Sequence, residues 1–371
     1  MKLLRTMRGY RPLTFVPDGI LLAKGYELYV ANLDCSRLRR VGAVPQVLAA
    51  RTARRSRTLE RIFRLGLRFG FRISEGDYLL AERSRIWILD LASGSVRLDH
   101  AIKRGSRPLF ISRIQGVNGF EDCVCYGEYW ENLAKDPVRI WARSQSGIWR
   151  VAHTFPKGTI EHVHGMIPDE RRGIVWILTG DFGDAAGIWV ARNDFTDVSP
   201  VLVGKQEFRC CWLAFWGDRI IYATDSHLES NSVRELILPE AGLNRTCASL
   251  GVRSEYFMDI SGSSIYACMV QDQLIFSTTV EPGLLTGRLL HDLLDRRPGP
   301  GIKGMYAELM IGTAARGFAL AGRWLKDKLP GRLCEFGSIS FPTGVNPGRC
   351  LYAYFTGLSE SDGSMSIFEL D

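Results

Sequence analysis

The sequence predicts an all-β protein that folds as a single β-propeller of six or seven blades with a short basic helical insertion. Three observations lead to this prediction. Short β-rich segments recur along the 371 residues, separated by Gly, Asp, Asn or Ser, the residues with which all-β chains form turns. Four of these segments end in an acidic residue. The acids are 53, 44 and 56 residues apart, which is the length of one four-stranded blade.

The four acid-ended segments resemble one another, because each is an apolar strand that continues into small residues and then a carboxylate. The acids are Glu128, Asp181, Asp225 and Glu281. A propeller places equivalent strand ends around one axis, whereas a β-sandwich has no need of such a period. We therefore expect these carboxylates at related positions in four blades. There they either converge on one pocket or cap turns by accepting backbone N–H groups.

Both ends of the chain continue the pattern. Residues 350–355 and 365–370 are typical of strands in a last blade, and we expect a strand at residues 13–16 to complete that blade. Residues 284–332 are richer in Gly and Leu and are expected to carry short helices. We expect residues 1–371 to form one domain.

The composition is that of a globular protein, with 46% hydrophobic and 23% charged residues. There is no run of about 18 apolar residues and no signal-peptide pattern, and the nine cysteines have no repeated spacing. We therefore expect a cytoplasmic protein whose cysteines are small buried hydrophobic residues.

The net charge of +7 is concentrated in residues 50–72, which read as a basic amphipathic helical insertion. Only one acid, Glu60, accompanies eight arginines: Arg51, Arg54, Arg55, Arg57, Arg61, Arg64, Arg68 and Arg72. Such a segment is expected to attract an anionic membrane surface or an acidic glycan, or to pack beside the propeller with solvated arginines. The rest of the chain is nearly neutral, so nucleic acid is not expected. A membrane contact would make the protein peripheral to the inner membrane.

Two histidines, His162 and His164, lie two positions apart in a predicted strand, so their side chains share one face. Such a pair can bind a metal with a third ligand such as Asp225 or His227, neutralise a substrate carboxylate, or transfer protons. No Cys or His partner has a zinc-like spacing. We therefore predict neither a metal site nor another cofactor.

Arg209 lies inside an apolar segment and needs an anionic partner there, which is either a substrate or an internal acid such as Asp181. Several polar and aromatic residues near the acids are predicted to contact substrate, form turns or pack in the core: Tyr129, Asn132, Tyr222, His227 and Asn231.

Several motifs resemble a group of bacterial propellers of the sialidase superfamily over roughly residues 75–285. Ser144-Gln145-Ser146-Gly147-Ile148-Trp149 is similar to the Asp-box hairpin of that superfamily but lacks its aspartate. Further similar segments are Tyr126-Gly127-Glu128-Tyr129, His162-Val163-His164-Gly165, Thr179-Gly180-Asp181, Gln206 with Arg209, Thr224-Asp225 and Val280-Glu281-Pro282. The resemblance implies glycan substrates and a connection with polysaccharide biosynthesis. Intact Asp-boxes and the three arginines that bind the sialic acid carboxylate cannot be assigned, which puts sialic acid in doubt.

These features predict a propeller that acts on a bacterial polysaccharide or its precursor. In a glycoside hydrolase, two of Asp181, Asp225 and Glu281 would serve as the acid and the nucleophile or base, with Arg209 orienting the substrate. In a polysaccharide lyase, His162 or His164 would neutralise a uronate carboxylate, while Tyr222 or the other histidine removes a proton. Glu128, Tyr129, Asn132, His227 and Asn231 would bind substrate. The alternative is a non-catalytic scaffold or glycan-binding module.

Overall fold

A computed structural model of the chain describes residues 1–46, 56–239 and 251–370. These residues form seven four-stranded antiparallel sheets, so of the six or seven predicted blades the fold has seven. The chain divides into two compact units. One combines Met1–Ala101 with Tyr266–Asp371 and holds four blades, and the other is Ile102–Ile265 and holds three.

The strands of each sheet follow one another along the chain as antiparallel meanders, joined by turns and by longer loops. The first segment contains β1 (Lys2–Arg8), β2 (Arg11–Val16), β3 (Gly19–Lys24), β4 (Glu27–Ala31), β5 (Leu38–Ala43), β6 (Phe69–Arg72), β7 (Asp77–Glu82), β8 (Arg85–Asp90) and β9 (Val96–Ala101). Unit Ile102–Ile265 contains β10 (Ser112–Ile114), β11 (Cys123–Gly127), β12 (Val138–Ser144), β13 (Trp149–Phe155), β14 (His162–Asp169), β15 (Ile174–Gly180), β16 (Gly187–Arg192), β17 (Asp197–Val203), β18 (Ala214–Trp216), β19 (Arg219–Ala223), β20 (Asn231–Ile237) and β21 (Arg253–Ile260). The last segment contains β22 (Ala267–Val270), β23 (Gln273–Ser277), β24 (Tyr306–Thr313), β25 (Gly317–Leu325), β26 (Ser338–Ser340), β27 (Cys350–Thr356) and β28 (Ser364–Glu369).

The two ends of the chain meet in one sheet, whose strand order is β1-β28-β27-β26. The expectation that residues 13–16 complete this last blade was wrong, because those residues belong to β2 in the next sheet. The strand that completes the blade is β1, which pairs antiparallel with β28. Six of its seven residues are exposed, so β1 carries no hydrophobic alternation by which the sequence could identify it.

Buried strands supply the core of unit Ile102–Ile265. Val138, Ile140 and Val163 contribute to one hydrophobic cluster, and Trp176 and Tyr222 to a second. Each fully buried large apolar side chain contributes about 1.5–3 kcal/mol relative to exposure. Cys123, Cys125, Cys210 and Cys211 are free and buried, as expected for small hydrophobic residues.

The basic insertion predicted over residues 50–72 is described from residue 56 onwards. In that part the helix α1 covers Arg57–Ile62 and β6 begins at Phe69, while Arg51, Arg54 and Arg55 lie outside the described residues. The other helices are short, α2 (Leu289–Leu294) and α3 (Gly331–Cys334), as expected for residues 284–332. In the described parts of the chain, no helix is long and apolar enough to span a membrane.

Several arginines of this insertion are held inside the protein rather than solvated. Arg61 is 1% exposed, donates to the carbonyl oxygens of Cys334 and Glu335, and pairs with Asp327. Arg57 donates to both carboxylate oxygens of Asp362 and Arg68 pairs with Glu335, whereas Arg64 and Arg72 are exposed. Arg57, Arg61 and Arg68 therefore connect separate loops through hydrogen bonds and ion pairs instead of forming an open cationic face.

Candidate functional site

The two histidines come together on β14, at the start of a blade in unit Ile102–Ile265. His162 pairs with Gly180 of β15, and His164 lies at a β-bulge between Val163 and Gly165. The imidazole centroids are 4.9 Å apart, which confirms that the side chains share one side of the strand. Gly180 makes room for this arrangement, because a Cβ atom there would lie 2.3 Å from the His164 ring.

Backbone carbonyls determine which nitrogen of each neutral ring carries the proton. His162 Nδ1 lies 2.8 Å from the Trp130 carbonyl oxygen, and His164 Nδ1 lies 3.0 Å from that of Cys210. A carbonyl oxygen only accepts, so both Nδ1 atoms donate and both Nε2 atoms of the neutral rings carry a lone pair. These Nε2 atoms are 3.0 Å apart. Burial lowers the pKa of His164, which favours its neutral form.

Asp181 follows directly after β15 and brings a carboxylate to the same point. Its Oδ1 lies 3.3 Å from His162 Nε2 and 3.1 Å from His164 Nε2. Burial disfavours the ionised carboxylate, but the Arg209 guanidinium and the two neighbouring histidines together outweigh this effect and hold the pKa of Asp181 well below its usual range. Asp181 is therefore an anion at neutral pH, and with 23% of its side chain exposed it forms the open side of the cluster.

Arg209 links two of the predicted acids. Its Nη2 lies 3.0 Å from Asp181 Oδ1 and 3.4 Å from Asp225 Oδ2, so its partners are internal carboxylates rather than a substrate. Asp225 Oδ2 also accepts from Cys211 Sγ at 3.2 Å. Burial raises the pKa of the Cys211 thiol well above its usual value. The cluster of His162, His164, Asp181, Arg209 and Asp225 is thus one connected polar network.

Two neighbours that sequence reasoning did not assign to the site hold this network in place. Gln206 donates from Nε2 to the Asp181 carbonyl oxygen at 2.7 Å. Glu161 Oε1 accepts from the Phe182 backbone N–H at 3.2 Å, and burial followed by the nearby Asp181 charge raises the pKa of Glu161. The sequence signal that could have identified Glu161 is its position immediately before His162.

Aromatic side chains border the cluster. The half-buried Tyr129 ring lies 4.5 Å from the His162 ring, measured between centroids. Phe182 lies 5.6 Å from His227 in an edge-on contact, and the Arg209 guanidinium carbon is 5.9 Å from the Phe182 ring centroid. Tyr129 and His227, both predicted to contact substrate, therefore lie beside the half-exposed edge of the network.

Three residues predicted to bind substrate instead hold the local backbone. Glu128 accepts from the Arg139 backbone N–H at 3.0 Å and from Trp141 Nε1 at 3.2 Å. Asn132 donates to the carbonyl oxygen of Glu161 at 2.8 Å, and Asn231 Oδ1 accepts from the Ser226 backbone N–H at 2.8 Å. All three side chains are buried. Each closes a turn or supports a neighbouring loop, and contact of the three with substrate stays a prediction.

The Tyr222 hydroxyl group has its hydrogen-bond partners outside the cluster, and its catalytic role stays a prediction. The hydroxyl donates to the Glu207 carbonyl oxygen at 2.9 Å and lies 2.6 Å from Ser254 Oγ, and the side chain is fully buried. Burial raises the pKa of Tyr222 above its usual value, so the phenol stays protonated. Glu281 is buried in the other compact unit, after β23, and its catalytic role stays a prediction.

Comparisons with known proteins identify the fold of the chain. No family model matches the chain, and no curated protein does so either. Among solved structures, the chain is similar to an oligogalacturonate lyase from Vibrio parahaemolyticus, with 13% identity, a TM-score of 0.55, and coverage of 99% of this chain and 91% of that one. It is also similar to the WD40 β-propeller domain of Doa1, with 11% identity, a TM-score of 0.52, and coverage of 100% and 97%. A third similar chain belongs to a mitotic checkpoint complex, with 9% identity, a TM-score of 0.54, and coverage of 100% and 92%.

At these identities the similarity establishes the fold alone. The protein is a seven-bladed β-propeller, and its structural neighbours have varied functions. Function must therefore be argued from the residues of the cluster.

Proposed function

We propose that the chain acts on an acidic, uronate-containing bacterial glycan, and that it does so by β-elimination at the His162–His164–Asp181 cluster. The observation that carries this proposal is the convergence of two imidazoles, an ionised carboxylate and a guanidinium at one partly exposed point. The resemblance to sialidase-superfamily propellers over roughly residues 75–285 supports a glycan. The oligogalacturonate lyase among the structural neighbours is a precedent for acidic glycans on this fold.

Elimination is favoured over hydrolysis by the state of the two predicted catalytic carboxylates in this unit, Asp181 and Asp225. A glycoside hydrolase needs one protonated carboxylic acid beside one carboxylate. The pKa of Asp181 is held well below its usual range, and Asp225 is engaged by Arg209 and Cys211. Neither residue is arranged to donate a proton to a leaving sugar.

The proposed step uses Tyr129 in place of Tyr222. A uronate bound at the cluster has an acidic proton on the carbon next to its carboxylate, and Tyr129, acting as a phenolate, removes that proton and becomes a phenol. The bond from the adjacent carbon to the glycosidic oxygen then breaks, and that oxygen leaves with the electron pair and takes the proton from the Tyr129 hydroxyl, which regenerates the phenolate. A carbon–carbon double bond forms in the remaining sugar. The half-buried position of Tyr129 beside His162 supports this role.

A glycan-binding propeller without turnover is the second candidate. It is favoured by the internal use of Arg209, Glu128, Asn132 and Asn231, which stabilise the fold instead of facing a ligand.

The test is incubation of the full chain with uronate-containing and neutral polysaccharides, followed by ultraviolet absorbance of the unsaturated product and by reducing-end analysis. We expect the chromophore with acidic glycans only, and a loss of roughly a hundredfold or more in Tyr129→Phe. Tyr256→Phe, at an exposed tyrosine of the same unit, is the matched control. New reducing ends without the chromophore would contradict elimination, and binding without either product would establish the second candidate.

A further inference from the structure

Three atoms in the cluster present electron pairs to one point. In the neutral rings His162 Nε2 and His164 Nε2 carry lone pairs because both Nδ1 atoms donate to carbonyl oxygens, and Asp181 Oδ1 carries negative charge. Their separations are 3.0, 3.1 and 3.3 Å. Three acceptors at this spacing repel one another unless a positive species lies among them.

We propose that this point binds one divalent transition-metal ion through His162 Nε2, His164 Nε2 and Asp181 Oδ1. Metal–ligand distances of about 2.0–2.2 Å put neighbouring ligand atoms about 3.0–3.4 Å apart in octahedral or tetrahedral geometry. The observed separations lie in that range. Two imidazoles and one carboxylate are the ligand set of many zinc and non-haem iron sites.

The surroundings match those of a metal site as well. A ligating histidine almost always donates its other ring N–H to a carbonyl or carboxylate, as both histidines do here to Trp130 and Cys210. Arg209 donates to Asp181 Oδ1 at 3.0 Å and orients this ligand. The partly exposed side of Asp181 leaves room for water or substrate at a further coordination position.

Asp181 is a better third ligand than the Asp225 or His227 considered from sequence. His164, Cys211 and Asp225 also lie close together, but all three are buried. Cys211 donates to Asp225 Oδ2, and the Nε2 lone pair of His164 is directed to His162 and Asp181. The metal site thus replaces the sequence expectation of no metal, and it does not depend on the glycan proposal.

The test is metal binding by the full chain, with no glycan present. Chelator-treated protein is titrated with Zn²⁺, Mn²⁺ and Co²⁺ by calorimetry, and bound metal is counted by elemental analysis after gel filtration. We expect one ion per chain for at least one metal, a higher unfolding temperature on binding, and a Co²⁺ absorption spectrum typical of nitrogen and oxygen ligands.

Asparagine variants separate ligation from folding. In His162→Asn and His164→Asn the amide nitrogen replaces the Nδ1 donor but no Nε2 lone pair remains, so affinity should fall by roughly a hundredfold or more. Asp181→Asn is the conservative third variant, and His291→Asn, at an exposed histidine beside Asp292, is the control. Folding of each variant is checked by circular dichroism. The proposal is overturned if folded wild-type protein binds no metal, or if all three ligand variants bind as the wild type does.

A separate observation concerns the surface around α2 in unit Met1–Ala101 with Tyr266–Asp371. Five leucines within eleven residues are about half to three-quarters exposed: Leu284, Leu285, Leu289, Leu290 and Leu294. The leucine surface, as we call these five residues, is flanked by exposed Arg288, Arg296 and Arg297. Clustered exposed apolar side chains with a basic border mark an interaction surface.

The leucine surface adjoins the basic insertion. Helix α2 contacts α3, and α3 contacts α1, whose exposed neighbour Arg64 is a further cation. Nearby acids are already engaged, since Asp292 accepts from Thr286 and Asp295 from Arg297. We infer that this surface docks on an anionic lipid membrane, with the leucines entering the interface and Arg288 and Arg296 meeting headgroups.

Sedimentation with vesicles tests this inference. We expect the full chain to bind vesicles of equal parts phosphatidylglycerol and phosphatidylethanolamine and not phosphatidylcholine vesicles, with binding weakened by salt. Leu289→Ser with Leu290→Ser should weaken binding at least tenfold, because the two side chains are 74% and 75% exposed and available to enter the interface. Val345→Ser, at an apolar residue that is 89% exposed in the same unit, should have no effect. Equal binding to both lipids, or a double variant that binds as the wild type does, would overturn the inference.

Discussion

Replacing Arg209 with methionine removes a cation that contacts both Asp181 and Asp225. The substitution keeps a flexible, unbranched side chain but leaves two carboxylates without the guanidinium at 3.0 and 3.4 Å. Removing one partner of a buried ion pair costs about 3–5 kcal/mol. Because Asp181 is 23% exposed and water can solvate it partly, we expect Arg209→Met to lower the free energy of unfolding by about 3 kcal/mol at pH 7.

This loss should depend on pH. In the wild type the pKa of Asp181 is held below its unfolded value, so the stability gained is present above the unfolded pKa of about 3.9 and lost as the pH falls through the folded pKa. In the variant, burial dominates and raises the pKa of the carboxyl group. The difference between the two proteins should therefore shrink as the pH falls from 7 towards 4.

The assay is urea unfolding at pH 7, 5.5 and 4, with m-values compared between proteins. Arg171→Met is the matched control, because Arg171 forms an ion pair with Asp218 on the exposed surface. The control should unfold as the wild type does. A loss below about 1 kcal/mol at pH 7, or one that grows on acidification, would refute the assigned role of Arg209.

Three further substitutions probe other parts of the fold. Gly180→Ala places a Cβ atom 2.3 Å from the His164 ring and should weaken metal binding at least tenfold in calorimetry. The control is Gly76→Ala, where a Cβ atom has no neighbour within 4 Å, and this variant should bind metal as the wild type does. Equal metal affinities of the two variants would contradict the packing of Gly180 against His164. Tyr222→Phe removes two hydrogen bonds and should lower the free energy of unfolding in urea by about 1–2 kcal/mol. The number of metal ions bound per chain should not change, and a changed number would show that Tyr222 contributes to the metal site. Arg61→Met should lower the free energy of unfolding by about 3–5 kcal/mol, and an unchanged urea midpoint would show that the arginine is not a structural anchor.

Much of the fold follows from local sequence signals. The acid-ended strands gave the blade period, and the spacing of His162 and His164 was sufficient to put both imidazoles on one side of β14. By contrast, the pairing of β1 with β28 depends on an exposed edge strand. Backbone hydrogen bonding forms that pair, and backbone bonding leaves no pattern in the side chains.

The residues of the site could be predicted from the sequence, but their hydrogen-bond and ion-pair partners could not. Asp181 and Arg209 were identified as candidates from the sequence. Whether Arg209 pairs with a substrate or with an internal acid depends on how the loop after β17 folds, with its 3-10 turn at Gln206–Phe208. The tautomers of His162 and His164 depend on the carbonyl groups of Trp130 and Cys210. Because every residue has a carbonyl group, no sequence pattern marks the two that accept these hydrogen bonds. The partners of the Tyr222 hydroxyl could not be predicted, because strand alternation gives the side of a strand but not which groups a buried hydroxyl contacts.

The most direct test of the metal site is a crystal structure of metal-loaded protein with anomalous diffraction measured above and below the absorption edge of the metal. We predict one anomalous peak about 2.0–2.2 Å from His162 Nε2, His164 Nε2 and Asp181 Oδ1, with both Nδ1 atoms still bonded to the carbonyl groups of Trp130 and Cys210. A structure of protein crystallised with excess metal that shows no anomalous peak at this point would contradict the account.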